Sequence, residues 1–128
     1  MQTIDVVRGV YEGFGNGDIP AVLELLADDC SWTEAAGGPY GGVYVGPQAI
    51  LDGVFMKLGD DWNGFTAMPQ DFVADGDRVV VLGEYSGSYK ATGRSFRSPF
   101  AHAWTVKDGK AVRFQQYVDT VLHREPMD

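Results

Sequence analysis

Near the carboxyl end, two alternating runs of residues meet at a tight turn, and they constrain the fold more than any other stretch. The runs are Phe100-Ala101-His102-Ala103-Trp104-Thr105-Val106 and Ala111 to Thr120, joined by Lys107-Asp108-Gly109-Lys110. Asp-Gly between alternating segments is the strongest short-range signal for a β-hairpin. Side chains of a strand point alternately to opposite faces, so the fold-back sorts these residues into two sets. One face receives Phe100, His102, Trp104, Val106, Arg113, Gln115, Tyr117 and Asp119. The other receives Ala101, Ala103, Thr105, Val112, Phe114, Gln116, Val118 and Thr120. The first set mixes aromatics with a histidine and a carboxylate, which suits a pocket wall better than a plain core.

The rest of the second half repeats this strand character, over 64–75, 78–90, 95–106 and 111–122, with turns at Asp75-Gly76-Asp77, Thr92-Gly93 and Asp108-Gly109. The first half reads as helices. Ile4, Val7, Tyr11 and Phe14 form one stripe over 3–15, and Gly15-Asn16-Gly17 stops it. Asp18 caps a second helix with Pro20 in its first turn. Gly46-Pro47 opens a third, where Ile50, Leu51, Val54, Phe55 and Leu58 recur at helical spacing. Between the last two lie a short strand, Cys30 to Glu34, and a glycine-rich stretch, Gly37 to Tyr44, with a returning strand at Val43 to Val45. Tyr40 in that stretch either covers a cavity mouth or stands in solvent. Helices first and an antiparallel meander afterwards predict a single α+β domain over residues 1–128, its helices packed on one face of a curved, mostly antiparallel sheet.

Charge and composition narrow the class of partner. A net charge of −8 repels nucleic-acid backbones and anionic membranes alike, so neither is an expected partner. No apolar run approaches the roughly 20 residues of a membrane helix, and no basic-then-apolar leader opens the chain, which points to the cytoplasm. The single Cys30 excludes an internal disulfide and a cysteine zinc cluster, and two histidines do not define a metal site. Walker loop, dinucleotide fingerprint and Gly-x-Ser-x-Gly elbow are all missing. Cys30 reads as a small buried hydrophobe.

Several segments together resemble the SnoaL-like, ketosteroid-isomerase-like branch of the nuclear-transport-factor-2 (NTF2-like) superfamily over essentially the whole chain. They are Gly17-Asp18 with Leu25-Leu26-Ala27-Asp28-Asp29, Trp32-Thr33-Glu34, and Gly42-Val43-Tyr44-Val45-Gly46-Pro47. Gly76-Asp77-Arg78-Val79-Val80-Val81, His102-Ala103-Trp104-Thr105-Val106, Asp108-Gly109-Lys110 and Tyr117-Val118-Asp119-Thr120 complete the set. The resemblance implies a cone: a strongly bent sheet around an apolar cavity that three amino-terminal helices close. It also implies cofactor-free chemistry and a homodimer, but no single reaction, because the fold hosts isomerases, dehydratases, cyclases, epoxide hydrolases and pure binders.

Three residues are the candidates for chemistry. Glu34 matches the position of the steroid isomerases' general base. It also stands two residues from Trp32 on one strand face, where apolar walls would raise its pKa toward the range useful for proton transfer. The alternative is a solvated glutamate at a strand end. His102 falls near the family's oxyanion donor, and otherwise is a histidine satisfied in the sheet core. Asp119 resembles the aspartate of SnoaL-like cyclases, and otherwise is neutralised by Arg97 or Arg113. Trp32, Tyr40, Trp104, Gln115 and Tyr117 are the expected pocket lining, suited to a small flat apolar ligand. The steroid isomerases' first-helix tyrosine aligns with Val10, with Tyr11 about 100° further round, which argues against steroid isomerisation. His123 reads as surface tail.

The expected function is therefore acid–base chemistry of isomerase, cyclase or dehydratase type on an apolar cyclic carbonyl or polyketide-like compound. The alternatives are a non-catalytic binder of an apolar metabolite, or a dimeric assembly module. The expected dimer contact is the outer hairpin face, Ala101, Ala103, Thr105, Val112, Phe114, Val118 and Thr120, too apolar to leave in water.

Overall fold

The computed structural model describes residues 2–128. Helix α1 (Thr3–Gly15) buries Val6, Val7, Val10 and Tyr11, and Asn16 with Gly17 ends it. Asp18 accepts from the Ala21 amide at 3.2 Å and starts α2 (Ile19–Glu24). Strand β1 (Leu26–Glu34) turns Cys30, Trp32 and Glu34 inward, as their parity requires. β2 (Gly42–Val45) returns antiparallel to it.

The helical run that follows is not uniform: α3 (Pro47–Ile50) passes through a π-helical turn (Leu51–Phe55) into α4 (Met56–Asp61). π-helical turns cluster at functional sites because they re-aim side chains; this one carries Val54 and Phe55 into the cavity.

Strands β3 (Trp62–Asp75), β4 (Arg78–Tyr89), β5 (Ser95–Lys107) and β6 (Lys110–Val118) then form the meander. The sheet order is β2-β1-β6-β5-β4-β3, and only the β1/β6 pair is parallel. Asp108 and Gly109 both take positive φ, 52° and 76°, so the last hairpin closes in a two-residue turn between paired Lys107 and Lys110. The α+β architecture is the expected one.

Two expectations fail in β6. The pairing starts as Lys107↔Lys110 and Val106↔Ala111, then shifts to Thr105↔Arg113. One extra residue on β6, at Val112, makes this a bulge, and a bulge flips every later side chain to the other face. His102 therefore lies opposite Gln116, not Gln115. Phe114 and Gln116 point inward, while Tyr117 is 59% exposed. The strand also stops at Val118 rather than near residue 122. Asp119 then caps a short helix α5 (Thr120–Arg124), accepting from the Leu122 amide at 3.0 Å.

Candidate active site

The core and the site are continuous. Trp32 lies opposite Phe114 in the parallel β1/β6 pair, and the two rings stack at 3.8 Å. Trp104 and Phe55 meet Trp32 edge-on at 5.5 and 5.3 Å. This wall lines a cavity of about 40 Å³. Its polar groups are Glu34, Tyr11, Tyr85, His102, Gln116 and His123, and the remaining lining is apolar or aromatic.

Glu34 is 5% exposed, and the only hydrogen bond to its side chain among the described residues is from Trp32 Nε1 to Oε2 at 3.0 Å. Burial destabilises its charged form and pushes its pKa up to about 7, against a smaller opposing effect of the Trp32 bond. At neutral pH this carboxyl group is thus poised between its two states. The solvated-glutamate alternative is excluded by the burial.

His102 sits between two phenols. Its Nδ1 is 2.6 Å from Tyr11 Oη and its Nε2 is 2.5 Å from Tyr85 Oη. Phe100 stacks on the ring at 3.9 Å, within 13° of parallel. That stack requires Gly83 on β4, directly opposite Phe100: a Cβ there would lie 2.4 Å from Phe100 Cζ and 2.3 Å from the Met68 carbonyl oxygen. Burial lowers the His102 pKa to about 3, so the imidazole is neutral and carries one N–H.

The protons of this network can be counted. Trp104 Nε1 is a donor only and gives a bond to Tyr11 Oη at 3.0 Å. The Ala35 amide donates to Gln116 Oε1 at 3.0 Å, which orients the Gln116 amide so that Nε2 donates to Tyr85 Oη at 2.9 Å. Each phenol oxygen thus already accepts one fixed bond. Two tyrosine protons and one imidazole proton must serve two Tyr–His contacts. Whichever tautomer His102 adopts, one phenolic proton is left over: that of Tyr85 if Nε2 is protonated, that of Tyr11 if Nδ1 is. Burial raises both phenol pKa values well above the ordinary one, so that proton stays on as a donor.

Of the residues expected from sequence, Trp32, Glu34, His102 and Trp104 line this cavity together. Gln115, Tyr117 and Asp119 do not; the bulge turns the first two outward, and Asp119 caps α5. Arg97, one expected neutraliser of Asp119, pairs instead with Glu84 at 3.2 Å. Tyr40 is buried but does not line the cavity; it donates to Asp61 at 2.7 Å and accepts from Trp62 Nε1 at 3.0 Å.

Four polar lining residues were missed. Tyr11 lay on the apolar stripe of α1, and Tyr85 shares parity with Val79 and Val81, so both were within reach of the periodicity. Gln116 was hidden by the bulge. His123 is a correction: it is 2% exposed and lines the cavity. Among the described residues no cluster of three His, Cys, Asp or Glu is placed to hold a metal ion, and no helix is long and apolar enough to cross a membrane.

The comparisons agree with this geometry. An NTF2-like protein from Burkholderia thailandensis superposes with a TM-score of 0.97 at 36% identity, over 100% of this chain and 98% of that one. An NTF2-like protein from Burkholderia pseudomallei gives 0.86 at 31%, over 94% of each chain. TerC, co-crystallized with polyporic acid, gives 0.88 at 30%, over 98% of this chain and 97% of that one. No curated protein matches the chain. The SnoaL-like domain family matches residues 7–114, and the chain, with its bent sheet closed over an aromatic cavity, belongs to that family.

Proposed function

We propose that the cavity binds a small, flat, largely apolar molecule with an enolisable carbonyl group, and that Glu34 removes a proton from the carbon beside it. The observation that carries this reading is a buried carboxyl group held near pKa 7 in the same cavity as a phenolic donor to spare. A base works best with a pKa near the operating pH. The C–H electron pair would pass to the carbonyl oxygen, where the spare Tyr11 or Tyr85 proton donates to the developing charge. Glu34, now protonated, returns its proton to the same or a neighbouring carbon. Atoms balance without any cofactor. Both nitrogens of His102 are taken up by the tyrosines, so its role is to position the donors, not to touch the ligand.

A relative 30% identical to this chain has been co-crystallized with polyporic acid, which supports a small organic ligand. The cavity holds more than one water but lies far below the roughly 300 Å³ of a ring-ligand pocket. A ring-sized molecule therefore enters only as lining side chains give way. The same proposal includes a second copy of the chain as partner, on the convex face of the sheet.

The test is proton exchange in D2O, followed by NMR, with bicyclic enolisable ketones beginning with 2-tetralone. Wild-type protein should accelerate deuteration beside the carbonyl, and Glu34→Gln should slow it by about 10²-fold or more while binding survives. Ketones that bind without accelerated exchange would make the protein a binder. Exchange indifferent to Glu34→Gln would remove Glu34 as the base.

A further inference from the structure

Of the titratable groups that line the cavity, the proposed chemistry leaves one unused. His123 on α5 lines the cavity at 2% exposure, and neither Nδ1 nor Nε2 has a hydrogen-bond partner among the described residues. Its ring lies within 6° of parallel to Phe96 at 5.0 Å, with Trp62, Phe65 and Tyr85 at 5.6, 6.0 and 5.9 Å. A phenylalanine would satisfy such surroundings. Burying an imidazole with both nitrogens unpaired costs stability, and native structures rarely leave such groups without a use.

The segment that carries it is fastened from several sides. Asp119 caps α5, and the His123 amide donates to the Asp119 carbonyl at 3.1 Å. Arg124 reaches the Gly37 carbonyl at 3.1 Å, and Thr92 donates to the Pro126 carbonyl at 2.5 Å. The imidazole is thus set in place and not merely trailing.

Resting on the small-molecule reading above, we propose that His123 is a ligand contact, so that the cavity selects a flat molecule with a second hydroxyl or carbonyl group apart from the reacting one. The aromatic neighbours of Glu34's partner Trp32 are Phe55, Trp104 and Phe114, while those of His123 are Tyr40, Phe96, Trp62, Phe65 and Tyr85. Trp32 and His123 share none of these rings, so Glu34 and His123 approach the cavity from different parts of its lining. A neutral imidazole offers one donor and one acceptor, so it can bind either a hydroxyl or a carbonyl oxygen. Burial keeps it neutral, with its pKa lowered to about 4.

The experiment compares 2-naphthol with 2,6-, 2,7- and 1,5-dihydroxynaphthalene by calorimetry, on wild type and His123→Phe. The best diol should bind wild type about 5–10-fold more tightly than 2-naphthol, the scale of one neutral hydrogen bond. In His123→Phe the advantage of the diol over 2-naphthol should vanish. A measurement on wild type needs no variant to fold. The chain has two histidines, so ¹⁵N-histidine labelling gives two ring systems, and the diol should move the nitrogens of His123 further than 2-naphthol does. If 2-naphthol binds but no diol gains, or if the gain survives in His123→Phe, the His123 assignment alone is overturned. If none of the four compounds binds wild type, the flat-ligand reading falls, and this one with it.

Discussion

Glu34, His102 and His123 are buried in one cavity, and burial drives the carboxyl and the imidazoles in opposite directions. Glu34 rises to about 7, while His102 falls to about 3 and His123 to about 4. At neutral pH the cavity then holds no imidazolium to stabilise the Glu34 carboxylate, which keeps that group basic. The consequence for stability has a definite sign. A group whose folded pKa is raised stabilises the fold below its unfolded pKa, and that contribution is lost as pH rises through the folded value. For Glu34 the window runs from its ordinary 4.5 to about 7. Glu34→Gln should therefore be as stable as wild type below pH 4.5, gain through the window, and level off above pH 7 at an advantage of about 3 kcal/mol. The histidines act the other way, losing stability as pH falls from 6.5 toward their folded values. They are common to both proteins, so the difference isolates Glu34. Urea denaturation of the pair at several pH values checks it, and a difference independent of pH would contradict a raised Glu34 pKa. Catalysis shares the same group, so the rate of ketone exchange should rise with pH and level off above about 7.

The elements show where strand parity informs and where it misleads. Parity on β1 placed Trp32 and Glu34 inward, and parity on β5 did the same for Phe100, His102 and Trp104; all five are buried. The same rule on β6 gave the inverse of the truth, because one bulged residue at Val112 reverses everything after it. Nothing in Ala111-Val112-Arg113 announces a bulge locally. Phe114 in the alanine-rich set was the available hint, since a large aromatic seldom faces water beside Arg113 and Gln115. The end of β6 failed for a related reason. Asp119 reads equally well as an inward carboxylate on a strand or as a cap, and its bond from the Leu122 amide makes it a cap. Two variants test these assignments. Asp119→Ala should cost about 1 kcal/mol of stability, the usual worth of a cap, and leave the pH dependence of ketone exchange unchanged; a loss of exchange at unchanged stability would return Asp119 to the chemistry. Gly83→Ala places a methyl 2.3 Å from a carbonyl oxygen and 2.4 Å from the Phe100 ring. It should destabilise the protein by about 2–3 kcal/mol and displace Phe100 from His102, reading as a changed near-UV spectrum. A neutral Gly83→Ala would mean that the sheet yields there.

The whole molecule presents its cavity on one side of the sheet and an apolar strip on the other. Across β4, β5 and β6 the outward residues fall in rows: Leu82, Ala101 and Tyr117 in one, Val80, Ala103 and Gln115 in the next. Leu82 is 42% exposed and Val80 36%. The strip differs from the expected one, because the bulge removes Phe114 to the core and puts Tyr117 on the surface. It is the face proposed for self-association: the small Ala101 lies between Leu82 and Tyr117, and aromatic side chains carry much of the energy of many interfaces. Each chain bears a net charge of −8, so two copies repel at long range, and in the proposed dimer burial of the apolar strip would oppose that repulsion. Salt screens the repulsion without weakening the apolar contact, so the dimer should tighten from 0.02 to 0.5 M sodium chloride. Sedimentation at micromolar concentration should give twice the chain mass of 13.9 kDa, and Leu82→Glu should reduce it to the single value by placing a carboxylate in the strip. Wild-type protein that sediments at 13.9 kDa, or a dimer that weakens with salt, would exclude this face as the contact. The cavity lies on the opposite side, so Leu82→Glu should leave ketone exchange per chain unchanged and separate assembly from chemistry.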